Sequence, residues 1–161
     1  MGGERRIATC ELFNAATGIS RICVDAPLFV DRSYLMAACK GRVYFIDNEC
    51  CDVCFIYYTH NNSWGYMNTH LLVNDLVTSI VSAYGSIYVA VRRGACKTEL
   101  FRFDITADKL ISMGTYSVDA MFNYRMPQIF CLRNRLMYFG TDSTKLHMLT
   151  EIDDAYISWD L

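Results

Sequence analysis

A weak pattern returns every 44 to 49 residues along this 161-residue chain, and it restricts the fold more than any single residue does. A period of that size means one small sheet repeated several times. Three anchors keep phase. The first is a tight-turn position, Gly41, Gly85 and Asn134, each followed by an apolar strand: Arg42-Val43-Tyr44-Phe45-Ile46, Ser86-Ile87-Tyr88-Val89-Ala90 and Arg135-Leu136-Met137-Tyr138-Phe139. The second is an apolar or aromatic residue, a polar turn and, seven positions on, a bulky residue: Tyr57 to Trp64, Phe103 to Leu110 and Leu149 to Tyr156, with Phe13 opening the same pattern ahead of Ser20. The third lies nine residues before the turn, at Arg32, Leu76 and Arg125.

Within each unit the local signals are those of strands. Runs of four to seven apolar, β-branched and aromatic residues are separated by Gly, Asn, Asp and Ser, without a long stripe of helical period. Segments 34–39, 43–46, 53–58 and 64–67 predict one four-stranded antiparallel sheet, and 78–83, 87–91, 99–103 and 109–113 predict the next. The runs alternate only in part, as expected for strands covered on both faces by neighbouring sheets. A four-stranded unit of this length fits a β-propeller blade, with an antiparallel sandwich as the structural rival.

These residues resemble the Kelch repeat: an Arg before the first strand, a Gly turn, an apolar strand with Tyr ending in Gly-Gly, then an aromatic, a polar turn and Trp. Gly2-Gly3 with Glu11 through Gly18 is similar to the second half of one repeat, Arg32 through Trp64 to a complete one, and Leu76 through Leu110 and Arg125 through Tyr156 to two more. The double glycine survives only at Gly2-Gly3; its equivalents are Asp47-Asn48, Val91-Arg92 and Gly140-Thr141, a loss that predicts looser blade corners. Trp64 alone keeps the Trp position.

The expectation is therefore an all-β, partial Kelch-type propeller of about three and a half blades, in approximate units 1–28, 29–75, 76–122 and 123–161 of a single domain. Propellers close their ring with about four to eight blades. The pattern thus predicts a part of a larger propeller, resembling the C-terminal propeller of a BTB-Kelch protein.

Composition bounds the function. Apolar residues make up 53% of the chain and aromatic residues 14%, while the net charge of −2 supplies no basic field for nucleic acid. No stretch approaches the length of an apolar membrane span, and the N-terminus lacks the apolar core of a secretory signal, so a cytoplasmic protein without membrane contact is expected. The eight cysteines occupy no common repeat position and read as small apolar core residues or loop thiols. Cys51 and Cys54 have the C-x-x-C spacing of a zinc knuckle, with His60 as a further candidate ligand; a structural zinc site needs a fourth, which the sequence does not offer. His60, His70 and His147 lack nucleophile or carboxylate partners at an informative spacing, and no phosphate loop or nucleophile elbow is present. No cofactor and no catalysis are expected.

Binding is the remaining expectation. In a propeller the loops between second and third strands, here 48–52, 93–97 and 141–145, gather on one face with the loops between blades, here 25–32, 68–76 and 117–125. The resemblance implies that Arg32 and Arg125 point toward the channel mouth and help contact acidic peptide segments, where a guanidinium forks onto a carboxylate. The alternative role is to hold the loop between blades. Arg92, Arg93 and Asn48 lie on the same predicted face. The resemblance also implies substrate recognition for a cullin-type ubiquitin ligase, with BTB and BACK domains outside these residues, or binding to actin. A metal-binding or enzymatic propeller using Cys51, Cys54 and His60, and a truncated product without function, stand as alternatives.

Overall fold

The computed structural model describes residues 7–29, 32–72, 74–94, 97–107, 109–117, 128–132, 135–139, 145–149 and 157–160. Every regular element among them is a β-strand.

The first of the described elements form a hairpin. Strands β1 (Ile7–Ala8) and β2 (Glu11–Asn14) run up one arm, and β3 (Ile19–Ile22) and β4 (Ala26–Phe29) return along the other. The bond from the Cys23 amide to the Cys10 carbonyl, 2.8 Å, joins the two halves in one ladder. Pro27 lies where the register slips, which suits a residue that has no amide to donate.

Three four-stranded antiparallel meanders follow. The first contains β5 (Tyr34–Cys39), β6 (Arg42–Asp47), β7 (Val53–Tyr58) and β8 (Ser63–Asn68). The second contains β9 (Asp75–Ala83), β10 (Ser86–Arg93), β11 (Lys97–Asp104) and β12 (Lys109–Ser117). The third contains β13 (Gln128–Leu132), β14 (Arg135–Phe139), β15 (Lys145–Leu149) and β16 (Ile157–Asp160). Strand β5 lies beside β9 and β9 beside β13, so the sheets converge along their first strands, as the blades of a propeller do around its axis.

The anchors of the repeat acquire physical meanings. Cys39 pairs with Arg42 and Ala83 with Ser86, leaving two-residue loops whose central residues all have positive φ: Lys40 (49°) and Gly41 (73°), then Tyr84 (50°) and Gly85 (69°). These are type I′ turns, whose twist matches the strands they join. The seven-residue spacing is a cross-strand pair. Phe13 faces Ser20, Tyr57 faces Trp64 and Phe103 faces Leu110, each beyond a four-residue loop. Two of those loops are built alike: Asn14 Oδ1 accepts the Ala16 and Thr17 amides, and Asp104 Oδ1 accepts those of Thr106 and Ala107.

Sheet packing explains the unbroken apolar run of β10. Ile87, Val89 and Val91 pack with Tyr44, Ile46, Ile56 and Phe103 between the first two four-stranded sheets. Tyr88 and Ala90 face the other way, with Leu100, Ile129 and Leu136. Alternate side chains thus enter two different cores, and each buried Val, Ile or Phe contributes roughly 1.5–3 kcal/mol of transfer free energy. Polar links join the second and third sheets: the Ile129 amide donates to Ser79 Oγ at 2.8 Å, and the Leu136 amide donates to the Tyr84 hydroxyl at 3.3 Å.

The first turn supplies a stability test. A Cβ on Gly41 meets only Thr59 Oγ1 at an ordinary 3.5 Å, so the cost of Gly41→Ala comes from its positive φ. Gly41→Ala is expected to lower unfolding free energy by about 1 kcal/mol, and Lys40→Asn to raise it by a few tenths, since Asn tolerates the left-handed region better than Lys. Urea unfolding of the two variants checks both signs.

Candidate functional site

The end of the sheets where second strands stop and new sheets begin is a tied corner. The first tie is Arg32, whose Nη1 donates to Asp47 Oδ2 at 2.9 Å, across the start of the first meander. Asp47 Oδ1 accepts the Glu49 and Cys50 amides, at 2.9 and 3.0 Å, so one carboxylate both closes the loop after β6 and holds the arginine. Burial works against the charge on Asp47. The Arg32 guanidinium and the Cys50 and Glu49 amides outweigh it and hold its carboxyl below the ordinary value. The hydrogen bond to Asp47 likewise raises the Arg32 pKa.

The second tie reverses the charges. Asp75 opens β9 and Arg93 closes β10; Arg93 Nε lies 3.6 Å from Asp75 Oδ2, and Arg93 Nη1 lies 2.8 Å from Glu99 Oε2. The guanidinium also stacks over the Phe101 ring, 5.4 Å from its centroid. Asp75 Oδ2 accepts the Leu72 amide at 2.8 Å, and Glu99 accepts a bond from the Ser112 hydroxyl. In the first sheet the arginine precedes the opening strand and the carboxylate ends the second; in the next sheet the carboxylate leads and the arginine follows.

Backbone bonds draw the same loops together. The Asn48 amide donates to the Ser33 carbonyl at 3.2 Å, and the Thr69 amide to the Asp52 carbonyl at 2.9 Å. The Thr69 hydroxyl donates to the Cys51 carbonyl, and the Cys51 thiol to the Asp75 carbonyl at 3.3 Å. Cys51 and Asp52 thus touch Thr69, Leu72 and Asp75 at this end of the sheets. The corner is also braced where the missing glycines predict slack, because Asp47 binds the loop through its side chain.

The arginines thus hold the corner. The Arg32 and Arg93 side chains, 40% and 41% exposed, each already bind a carboxylate within the chain. Arg92 and Asn48 sit at the same end, on β10 and just after β6. Arg125 and the loop from 141 to 144 lie outside the described residues. Sequence reasoning missed Asp47, Asp75 and Glu99; the available signal was a carboxylate at Asp47, where the repeat otherwise wants glycine.

The structure does not bring Cys51, Cys54 and His60 together. Cys54 lies near the start of β7 and His60 in the turn beyond its end, with roughly 13 Å of extended strand from Cys54 to Tyr58 between them. Burial pushes the Cys51 thiol up to about 11 and the Cys54 thiol up to about 12, so both are held protonated against the backbone rather than offered as thiolates. No group of three or more His, Cys, Asp or Glu side chains suited to a metal occurs among the described residues. No helix among them is long and apolar enough to cross a membrane.

Comparison with solved structures settles the architecture. The chain is similar to a catalytically inactive virginiamycin B lyase from Staphylococcus aureus, crystallised with quinupristin, with a TM-score of 0.59 and 12% identity over 94% of this chain. The fold is that of a partial β-propeller. The chain spans about half of that protein, 48% of its length, and at this identity the likeness concerns the fold alone. No protein-family model and no curated protein sequence matches the chain.

Two measurements probe the corner. The Asp47 carboxyl titrates below its unfolded value of about 4, so its contribution to stability is complete above that pH and is lost as pH falls through the folded value. Asp47→Asn is expected to flatten the fall of the melting temperature between about pH 5 and 3, while retaining the amide bonds to residues 49 and 50. Iodoacetamide labelling of the native chain at pH 8, read by mass spectrometry, is expected to modify exposed Cys50 well ahead of Cys51 and Cys54, with added zinc leaving that order unchanged.

Proposed function

We propose that this chain is a protein-interaction module, a propeller segment that binds a protein partner without catalysis. The observation that supports the reading most is a row of apolar side chains across one whole sheet. Met36 pairs with Phe45, Phe45 with Phe55 and Phe55 with Tyr66, so the four stand side by side on one face of the first meander. Its two ends are exposed, Met36 to 61% and Tyr66 to 78%, and Phe45 and Phe55 between them are only partly covered. Large apolar residues gathered in this way mark association surfaces, because covering them releases about 25 cal/mol per Å².

The Kelch-like pattern supports particular classes of partner: a protein recognised for a cullin-type ubiquitin ligase through BTB and BACK domains, or actin. Recognition of an acidic peptide through Arg32 and Arg93 is less favoured, since those guanidiniums hold Asp47, Asp75 and Glu99.

Replacing the ends of the row tests the reading. Immobilised chain carrying Met36→Glu and Tyr66→Glu is expected to lose the proteins that the unmodified chain retains, whereas Arg92→Glu keeps them, as quantified by mass spectrometry. Equal retention by the double variant and the unmodified chain overturns the proposal. Circular dichroism of each variant confirms that the sheets persist.

A further inference from the structure

The hairpin of residues 7–29 contains two cysteines that face each other. The register of its upper half pairs Glu11 with Ile22 and Leu12 with Arg21, and one step further along the ladder places Cys10 opposite Cys23. The 2.8 Å bond from the Cys23 amide to the Cys10 carbonyl confirms that step. Residues directly opposite in an antiparallel pair point to the same side of the ladder, and a hydrogen-bonded pair has its Cα atoms about 5.5 Å apart, within the range that a disulfide spans. Both thiols are free.

The local backbone gives the pair room to close. Beyond Cys10 the next pairing is Ala8 with Ala26, so one residue on the first arm faces two on the second, and the ladder slips again before Ile7 meets Phe29. A bulge beside the pair interrupts the ladder locally, so fewer paired backbone bonds constrain the strands there. Burial first, and the neighbouring Cys23 second, push the Cys10 thiol up.

We propose that Cys10 and Cys23 are a redox-sensitive pair that closes into a cross-strand disulfide on exposure to a low-molecular-weight disulfide. Cys10 is the partly exposed member and Cys23 the buried one, which fixes the order of events. The Cys10 thiol loses its proton to solvent, its thiolate attacks one sulfur of the oxidant, and one equivalent of small thiol leaves. The Cys23 thiolate then attacks Cys10 Sγ and expels the second equivalent. Two protein thiols are oxidised to one disulfide while one small disulfide is reduced to two thiols.

The bond clasps a hairpin of which one arm is docked on the first meander. Hydrogen bonds that dock its second arm on the first meander include three: Trp64 Nε1 donates to the Val24 carbonyl at 3.0 Å, the Val24 amide donates to Asn62 Oδ1 at 3.2 Å, and Arg21 Nη2 donates to the Thr59 carbonyl at 2.9 Å. Two of these bonds involve Val24, next to Cys23. Closing the disulfide therefore fixes the first arm to the arm that carries the docking contacts.

Glutathione supplies the test. The reduced full chain is incubated with graded ratios of oxidised to reduced glutathione, blocked with N-ethylmaleimide and digested with trypsin without reduction. Cleavage after Arg21 separates the two cysteines, so the expected product is peptide 7–21 joined to peptide 22–32, two hydrogens lighter than their sum. Its formation is expected to speed up as pH rises, following the Cys10 thiolate, and to slow amide exchange across residues 11–22 on the order of tenfold or more. Cys10→Ser abolishes the species and Cys50→Ser leaves it unchanged. Glutathione remaining on Cys10 as a stable mixed disulfide, Cys10 joining another cysteine instead, or a yield no higher than that of the chain unfolded in urea each overturns the proposal.

Discussion

Burial of the second meander on both faces is the constraint from which the other features follow. Strand β10 sends Ile87, Val89 and Val91 into one core and Tyr88 and Ala90 into another. A strand in that position can carry no polar residue on either side over its central length, and it cannot slip by one residue without exchanging its two sets of partners. The sheets on either side inherit their spacing from it. The first meander is buried on the face that meets this strand and left partly open on the face that carries Met36, Phe45, Phe55 and Tyr66.

Polar residues at the sheet ends solve a different problem. Where apolar strands give way to loops, backbone groups and charged side chains leave water together, and a buried carboxylate needs a partner. Asp47 and Asp75 both find arginines, in opposite chain order. The pair is kept while its residues trade places, which identifies charge neutralisation at the corner, rather than one residue type at one position, as the physical requirement.

Much of the fold was legible because strands write their pattern locally. Tyr34–Cys39, Val53–Tyr58 and Arg135–Phe139 have the limits that their apolar runs suggest. Strands β9, β10 and β12 run further than 78–83, 87–91 and 109–113, because Asp75, Arg93 and Ser117 look like loop residues yet continue the ladder through pairing with other strands. The site was harder to read. Arg32 stood out by its place in the repeat, but its partner Asp47 stood where a glycine was expected and so looked like decay. Cys51, Cys54 and His60 looked close only because sequence distance says nothing of an extended strand's length.

The meander topology has a kinetic consequence. Every hydrogen-bonded strand pair in the four-stranded sheets joins strands consecutive in the chain, so each sheet assembles from local hairpins with little loop entropy to overcome. Among the described residues the main contacts between four-stranded sheets join neighbours, which makes this part of the chain nearly one-dimensional. Folding in such a system spreads outward from its most enclosed unit, with the doubly covered second meander as the seed and the N-terminal hairpin as the last piece to settle.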